Sequence, residues 1–289
     1  MEKIMEPELI ADYQNHVGEG PLWNHLDNKL YWIDIPQALI FKFDPKTKEH
    51  EIFYEGTAAI GGFTIQENGD LLLFMENGGI AKLSNGSLEY LFKEISEEKN
   101  GRFNDVIADP EGRVFCGTMP DQNGNARLYK LDTDGTLTKV LDGIKLSNGL
   151  GFSPDCSKMY YTDTFAKKIY QFDYERKNGE ITNQRNFVQI DGEGMPDGMT
   201  VDEQGCVWSA IARDSSIKRY ADNGLEKLSI TFPTELISSC TFGGAHMDEL
   251  YVTTIGGDQR EEYGPVAGAL FRVKLNIRGV PEYLSKINM

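Results

Sequence analysis

The sequence predicts an all-β fold, a six-bladed β-propeller with four antiparallel strands in each blade. Two observations support this prediction. A short apolar strand recurs six times, at successive intervals of 41, 43, 45, 48 and 43 residues, and a run of alternating polar and apolar residues accompanies each copy. Repeats of this length that run through a whole chain are typical of radially repeated or solenoidal proteins. We therefore expect residues 1–289 to form a single propeller domain.

Each repeat supplies about four strands. The recurring apolar strands begin at Leu30, Leu71, Val114, Met159, Val207 and Leu250. Alternating runs follow them, beginning at Ala38, Gly79, Ala126, Lys167, Ser215 and Gly268, and weaker strands begin at His50, Ser87, Leu137 and Glu226. The segment before each recurring strand supplies the fourth. Period-two alternation rich in Tyr, Phe, Ile and Val is typical of strands with two different faces.

Closure of the propeller requires that no sheet edge is left open. We expect Pro7 to Tyr13 to pair within the blade that the C-terminal repeat otherwise forms, because this removes an exposed edge. The alternative is a solenoid of stacked strands, which is less favoured because its repeats are usually shorter and need capping ends.

Composition and charge exclude several classes of protein. Apolar residues make up 40% and charged residues 26% of the chain, as in ordinary soluble globular proteins. The formal charge of -16 disfavours nucleic acid and anionic membrane surfaces as partners. No apolar stretch approaches the roughly twenty residues needed to cross a bilayer. Met1 to Ile10 lacks the apolar segment of a secretory signal, so a cytoplasmic location is expected, whereas the oligomeric state is not predicted.

The four cysteines form no paired motif. Cys116, Cys156, Cys206 and Cys240 are far apart in the sequence, which disfavours a structural zinc site or a thioredoxin-like motif. We interpret them as small buried apolar residues, although a disulfide remains open. With only four histidines, no GxSxG segment and no HExxH segment, a serine or thiol nucleophile and a zinc-protease helix are also disfavoured.

Matched positions 10 to 12 residues before each recurring strand carry carboxylate or amide side chains in four repeats. The six positions are Glu19, Gly61, Asn104, Asn148, Asp197 and Ser238. Because such positions are related by the propeller axis, we expect the side chains of Glu19, Asn104, Asn148 and Asp197 to converge at one end of the central channel. Facing carboxylates repel each other unless a cation lies between them. All-oxygen ligands suit calcium, magnesium or manganese, and zinc and iron also accept them, so the metal is not distinguished.

The same residues resemble those of the gluconolactonase and regucalcin family, also called the senescence marker protein and luciferin-regenerating enzyme family. The resemblance covers nearly the whole chain and is carried by several segments together. They are GEGPLW at Gly18, RFNDVIADPEGRVFCGTM at Arg102, LSNGLGFSPD at Leu146, MPDGMTVDEQGCVW at Met195, SSCTFGGAHMDELYVTT at Ser238 and GALFRVKLNIRGVPE at Gly268.

This resemblance implies a propeller enzyme of carbohydrate metabolism that hydrolyses small sugar lactones with one divalent metal ion. It implies Glu19, Asn148 and Asp197 as metal ligands, Asn104 close to the metal or the substrate, and Arg102 as a substrate contact. Family members carry a glutamate after the GTM segment, where this chain has Pro120 and Asp121. The shorter Asp121 would replace that glutamate as a contact for substrate hydroxyls.

Lactone hydrolysis needs a polarised carbonyl, a nucleophilic water and stabilisation of the tetrahedral oxyanion. We expect Asp197 to accept the proton of the attacking water, while Arg102, Asn104 and Asp121 orient the substrate. A second candidate reaction at the same metal is organophosphate or other ester hydrolysis. A candidate of another class is a non-catalytic binding propeller, because the segments at Leu30 (LYWID) and Met159 (MYYTDT) resemble the YWTD motif of receptor propellers.

Overall fold

The computed structural model of the chain describes residues 6–289. Residues 1–5, which belong to the Met1 to Ile10 stretch on which the expected cytoplasmic location depends, lie outside the described residues. The described chain forms 24 strands, arranged in six antiparallel sheets of four strands each. The six-bladed propeller predicted from the repeats is therefore confirmed.

The strands follow one another in the order that the repeats predict. The N-terminal strand is β1 (Glu8–Ala11), and blade 1 comprises β2 (Gly18–Asn24), β3 (Lys29–Asp34), β4 (Leu39–Asp44) and β5 (Glu49–Glu55). Blade 2 comprises β6 (Ile60–Ile65), β7 (Leu71–Met75), β8 (Ile80–Ser84) and β9 (Ser87–Phe92), and blade 3 comprises β10 (Phe103–Ala108), β11 (Val114–Thr118), β12 (Ala126–Leu131) and β13 (Leu137–Ile144).

Blades 4 to 6 repeat this arrangement. Blade 4 comprises β14 (Ser147–Phe152), β15 (Lys158–Asp163), β16 (Lys168–Glu175) and β17 (Glu180–Gln189), and blade 5 comprises β18 (Met195–Val201), β19 (Val207–Ala212), β20 (Ser216–Tyr220) and β21 (Glu226–Thr231). Blade 6 comprises β22 (Ile237–Gly243), β23 (Glu249–Thr254) and β24 (Leu270–Lys274). A 3₁₀ turn at Ser96–Glu98 and the four-residue helix α1 (Arg260–Tyr263) lie in loops.

Blade 6 is completed by the N-terminal strand. Strand β1 pairs antiparallel with β24, with Glu8 opposite Arg272 and Leu9 opposite Phe271. The first strands of the blades contact one another in the closed order β2, β6, β10, β14, β18, β22 and back to β2. The predicted pairing of Pro7 to Tyr13 with the C-terminal repeat is confirmed for Glu8–Ala11, and it covers the edge that β24 would otherwise expose.

Burial explains the sequence pattern within a blade. The second strands are buried on both faces, as in β7, where all five residues are buried, which accounts for their continuous apolar character. The fourth strands lie at the rim, and six of the seven residues of β5 are exposed. Third strands such as β12 alternate between buried and half-buried residues, which accounts for their period of two.

The hydrophobic core is divided into six clusters, one at each contact between neighbouring blades. The cluster between blades 3 and 4, for example, contains Phe115, Phe152 and Tyr174, with ring centroids 4.7 to 6.3 Å apart. The cluster between blades 6 and 1 contains Trp32 stacked on Phe41. Because each blade buries both faces against its neighbours, the packing fixes the positions of the first strands around the axis.

The segment after β24 crosses one end of the central channel, which was not predicted from the sequence. The backbone amide of Gly279 donates to Met247 of blade 6, that of Ser285 donates to Ile65 of blade 2, and that of Lys286 donates to Gly112 of blade 3. We call residues 275–289 the C-terminal strap. It covers the channel at the ends of the first strands, opposite the starts where the matched polar positions lie.

All four cysteines are unpaired among the residues that the structure describes; Cys116, Cys206 and Cys240 are buried and Cys156 is half-buried. The interpretation of three of them as buried apolar residues is confirmed. No helix within residues 6–289 is long and apolar enough to cross a membrane.

Candidate metal centre

The four predicted polar side chains lie at the start of the first strand in four blades. Glu19 lies in β2, Asn104 in β10, Asn148 in β14 and Asp197 in β18. All four residues are at most 8% exposed. We call the channel end where they lie the mouth and the four residues the polar ring.

A backbone irregularity recurs at the same place in each first strand. The pairing register with the second strand shifts between Glu19 and Leu22 in β2, between Phe103 and Val106 in β10, between Ser147 and Leu150 in β14, and at the corresponding places in the other three blades. Such bulges bend a strand and redirect side chains. The bulges explain how a first strand that is otherwise packed in the core can direct a polar side chain towards the propeller axis.

The two amides of the polar ring contact each other directly. The Nδ2 atom of Asn104 lies 2.6 Å from Oδ1 of Asn148 and also donates to the carbonyl oxygen of Ser147 at 2.8 Å. Nη1 of Arg102 donates to Oδ1 of Asn104 at 2.6 Å and to the carbonyl oxygen of Phe103 at 2.9 Å. These contacts join the predicted substrate contact Arg102 to two of the predicted ligands.

The two carboxyl groups of the polar ring lie where ionisation is unfavourable. Burial raises the pKa of Glu19 well above its usual value, and the charges of Asp197 and Asp105 raise it further. Burial also raises the pKa of Asp197 well above its usual value, and Asp105 adds to the effect. The positive charge of Arg102 opposes both shifts. Glu19 and Asp197 therefore lie close enough to interact, as the repeat register predicts.

Asp105 is a third carboxyl group at this site, and sequence reasoning missed it. It follows Asn104 directly, within the bulge of β10. Burial raises its pKa to about 7, against the opposing charge of Arg102. Strict alternation along a strand places neighbouring side chains on opposite faces. A bulge relaxes this rule, and the bulge was not evident from the sequence.

These groups fit a hard divalent cation. The Oδ1 atom of Asp197 is buried and has no hydrogen-bond partner among the described residues, which leaves one carboxylate oxygen free for a ligand. The positive charge of Arg102 favours the ionised forms of Glu19 and Asp197. Amide and carboxylate oxygens are typical ligands of calcium, magnesium and manganese.

The predicted metal ligands combine carboxylate and amide side chains. Within residues 6–289, no group of three or more His, Cys, Asp or Glu side chains has an arrangement that could hold a metal ion. The predicted set contains only two carboxylates, with amide oxygens making up the remainder. A site of this composition depends on the orientation of its amides as well as on its charges.

The two remaining matched positions contribute no ligand, for physical reasons. At Gly61 of blade 2, a Cβ atom would lie 1.9 Å from the carbonyl oxygen of Phe103, so no side chain fits there. In blade 6 the hydroxyl of Ser238 donates to the carbonyl oxygen of Gly18 at 2.6 Å. Close packing of blade 2 against blade 3 thus excludes a side chain at Gly61, and the hydroxyl of Ser238 is taken up by a contact between blades 6 and 1.

Asp121 lies in the loop between β11 and β12, at the same end of blade 3 as the mouth. Its carboxylate accepts a hydrogen bond from Nη2 of Arg127 at 2.7 Å and from the backbone amides of Asn123 and Asn125. The hydrogen bond from Arg127 lowers the pKa of Asp121, with the backbone amides contributing. Within the described residues, no hydrogen bond joins Asp121 to the polar ring, so its predicted substrate contact stays a prediction.

A narrow cavity of about 70 Å³ continues from the mouth along the axis. Asp105, Leu150 and Met199 line it, and Glu282 of the C-terminal strap reaches it from the other end. Burial raises the pKa of Glu282 to about 7, and a hydrogen bond with Thr200 opposes this shift. The strap thus places a further buried carboxyl group beside the channel, which the sequence did not predict.

The chain resembles known proteins over nearly its whole length. A family model described as the SMP-30/Gluconolactonase/LRE-like region matches residues 17–256. The chain is 40% identical over 288 residues to the pentonolactonase XacC of Haloferax volcanii, across 97% of this chain and 98% of that protein. It is 32% identical over 289 residues to regucalcin of Danio rerio, across 96% and 97%. The solved structure of a luciferin-regenerating enzyme superposes with a TM-score of 0.90 at 28% identity, covering 98% of this chain and 100% of that chain.

Proposed function

The chain belongs to the SMP-30/gluconolactonase/LRE-like family, and on that premise we propose that it is a divalent-metal-dependent hydrolase that opens the ring of sugar lactones. The observation that carries the proposal is the buried pair Glu19 and Asp197, which has a free carboxylate oxygen and adjoins two amides and one guanidinium group. A binding scaffold has no need of this costly arrangement. The 40% identity to a pentonolactonase supports the same reaction class.

We assign the metal to Glu19, Asn148 and Asp197, with Asn104 beside it. When bound, a divalent cation supplies a Lewis acid for the lactone carbonyl and lowers the pKa of an adjacent water molecule. It also relieves the repulsion between the two carboxylates, which is stronger because they are buried. Calcium, magnesium and manganese suit these oxygen ligands, and the choice among them and zinc or iron is part of the test below.

The reaction adds water to the lactone carbonyl carbon and breaks the bond from this carbon to the ring oxygen, which leaves as a hydroxyl group. Asp197 is proposed as the base that accepts the proton of the attacking water, because its carboxyl group lies at the mouth and burial raises its pKa, which makes it a stronger base. Arg102 lies at the mouth with its guanidinium group directed at the amide of Asn104. It is suited to donate to the oxyanion or to a substrate hydroxyl.

Substrate choice is proposed to depend on the loop that carries Asp121. Its ion pair with Arg127, which also contacts Glu98, holds this loop against the 3₁₀ turn before β10. A surface cavity lined by Glu97, Asn100 and Met119 lies between the two segments. Sugar hydroxyl groups that extend from the mouth towards blade 3 would meet polar groups there.

The experiment removes bound metal with a chelator and then adds calcium, magnesium, manganese, zinc or iron singly. Acid release is followed for a panel of pentono- and hexonolactones against the spontaneous rate in the same buffer. We expect activity to be lost with the chelator and restored by at least one cation, and to be absent in Glu19→Gln. Full activity without metal would show that the reaction does not depend on a metal ion. Intact metal uptake with no activity on any lactone would show that lactone hydrolysis is not the reaction.

A further inference from the structure

A continuous series of hydrogen bonds crosses the mouth from blade 3 to blade 5. Arg102 donates to Oδ1 of Asn104, Nδ2 of Asn104 donates to Oδ1 of Asn148, and Nδ2 of Asn148 donates to Oγ1 of Thr164 at 2.8 Å. The series ends where Oγ1 of Thr164 donates to the carbonyl oxygen of Pro196 at 2.7 Å. Pro196 directly precedes Asp197, so the series reaches the proposed base.

The direction of every bond in this series is fixed by its two ends. A guanidinium group can only donate, and a carbonyl oxygen such as that of Pro196 can only accept. The hydroxyl of Thr164 has one proton, which it gives to Pro196. Its oxygen must therefore accept from Asn148, and this requires the NH₂ end of the Asn148 amide to face Thr164.

The orientation of the Asn148 amide decides whether it can bind a cation. With its NH₂ end held by Thr164, the Oδ1 end faces the polar ring, where a hard cation takes oxygen ligands. If the amide rotated by half a turn, its NH₂ group would point at the site, and it cannot serve as a ligand. The two orientations have nearly the same shape, so packing alone does not separate them.

Thr164 is well placed for this selection. It follows β15 directly and is 3% exposed. The turn that carries it is held by its own backbone, because the amide of Thr164 donates to Leu146 and its carbonyl oxygen accepts from Lys167. Loss of the hydroxyl would leave these backbone bonds in place and remove the side-chain bonds to Asn148 and to the carbonyl oxygen of Pro196.

We propose that Thr164 is a positioning residue that fixes which end of the Asn148 amide faces the cation. The inference rests on the proposed function, since it concerns the affinity for the proposed metal. It assigns to Thr164 no contact with the cation or the substrate. Its effect is exerted through Asn148, and the Asn148→Asp background separates this effect from loss of the bond to Pro196, which both backgrounds share.

The test measures cation binding directly, without substrate. Purified full-length protein is treated with chelator and titrated with calcium, and then with manganese, by calorimetry. Thr164→Val is expected to weaken binding about 10- to 100-fold, the usual effect of losing a group that orients a ligand. Thr164→Ser keeps the hydroxyl and is expected to bind as the unsubstituted protein does.

A matched control lies two residues earlier, near the end of β15. The hydroxyl of Thr162 is also buried but has no hydrogen-bond partner among the described residues. Thr162→Val makes the same chemical change in the same environment and is expected to leave affinity unchanged. Thermal denaturation in chelator reports whether each variant folds. If Thr164→Val does not fold, Thr164→Ala removes the same hydroxyl without adding a methyl group and replaces it throughout.

A double-substitution cycle separates orientation from general damage. Asn148→Asp presents an oxygen at either end, so the orientation of the group no longer matters. Thr164→Val is then expected to cost far less in the Asn148→Asp protein than in the unsubstituted one. An equal loss in both backgrounds, or no loss in either, overturns the inference. If the unsubstituted protein takes up no cation, the proposed function falls with it, whereas unchanged affinity in Thr164→Val overturns the inference alone.

Discussion

At the scale of single residues, the mouth is costly for the folded chain unless a cation is bound. Glu19 and Asp197 are buried, each raises the free energy of the other in the ionised form, and Asp105 adds a third carboxyl group beside them. Arg102 offsets part of this repulsion, but burial also disfavours its own charge. A site of this kind lowers the stability of the empty protein in exchange for affinity.

Asp197→Asn tests the proposed base and this cost together. We expect kcat to fall by about 10²- to 10⁴-fold, the usual contribution of a general base, and cation affinity to fall as well. We also expect the metal-free variant to melt at a higher temperature than the unsubstituted protein at pH 8, because a neutral amide removes a buried charge. Steady-state kinetics, calorimetric titration with calcium and thermal denaturation in chelator measure the three effects.

Asp222→Asn is the control for that substitution, since Asp222 lies in an exposed turn. It removes a carboxylate of the same type and is expected to change none of kcat, cation affinity and melting temperature. If Asp197→Asn keeps both its turnover and its affinity for the cation, Asp197 is neither base nor ligand.

Residues of the site differ in how far the sequence can predict them. The positions of Glu19, Asn104, Asn148 and Asp197 follow from repeat register, because the propeller axis converts matched positions into neighbours. The contributions of Asp105 and Thr164 do not follow from it. They depend on a bulge and on the direction in which an amide is turned, and both are set by contacts between blades.

At the scale of elements, the first three strands of each blade are more predictable than the rest. Their apolar or alternating patterns reflect burial on two faces or on one. The fourth strands are mostly exposed and carry weaker patterns, and β17, with ten residues, is not among the segments singled out in the sequence. The C-terminal strap has no regular strand at all, so period-two patterns could not predict its course.

Glu282 of the strap predicts a specific dependence of stability on pH. Its pKa is raised from the usual 4.5 to about 7 in the folded chain, because its carboxyl group is buried. Between these values the unfolded chain releases a proton that the folded chain retains. Stability therefore falls as pH rises from 4.5 through 7, by on the order of 3 kcal/mol at most for this group.

Glu282→Gln is expected to remove this part of the pH dependence and to stabilise the metal-free protein at pH 8. Denaturant unfolding of both proteins in chelator, from pH 4.5 to 8, gives the difference in their free energies of unfolding. The carboxyl groups at the mouth contribute equally to both proteins, so their contribution cancels in this difference. Glu203→Gln, at an exposed position near the strap, is the control and is expected to follow the unsubstituted protein. If the free energy of unfolding changed with pH in the same way in Glu282→Gln and the unsubstituted protein, folding would not raise the pKa of Glu282 and the prediction would be wrong.

At the scale of the whole molecule, the propeller connects stability with the metal site. The first strands of all six blades contact their neighbours around the axis, and β1 joins the two ends of the chain in blade 6. The four polar-ring residues come from blades 1, 3, 4 and 5, so they are brought together only when these blades have assembled. Sequence periodicity predicts this closure, whereas the strap that covers the far end of the channel is known only from the structure.

Because the site exists only in the closed propeller, a cation that binds it is expected to stabilise the whole fold. At a hundredfold excess over the dissociation constant, the gain is about 2.7 kcal/mol. Protons compete with the cation for Glu19 and Asp197, whose pKa values are raised by burial and mutual repulsion, so the gain should be larger at pH 8 than at pH 6.

Melting temperatures with and without calcium or manganese, at both pH values, measure this gain in stability. Sodium chloride at matched ionic strength is the control for screening of the net charge of -16. The double variant Glu19→Gln, Asp197→Asn is expected to gain nothing, and an equal gain in that variant, or a larger one at pH 6, would place the cation elsewhere.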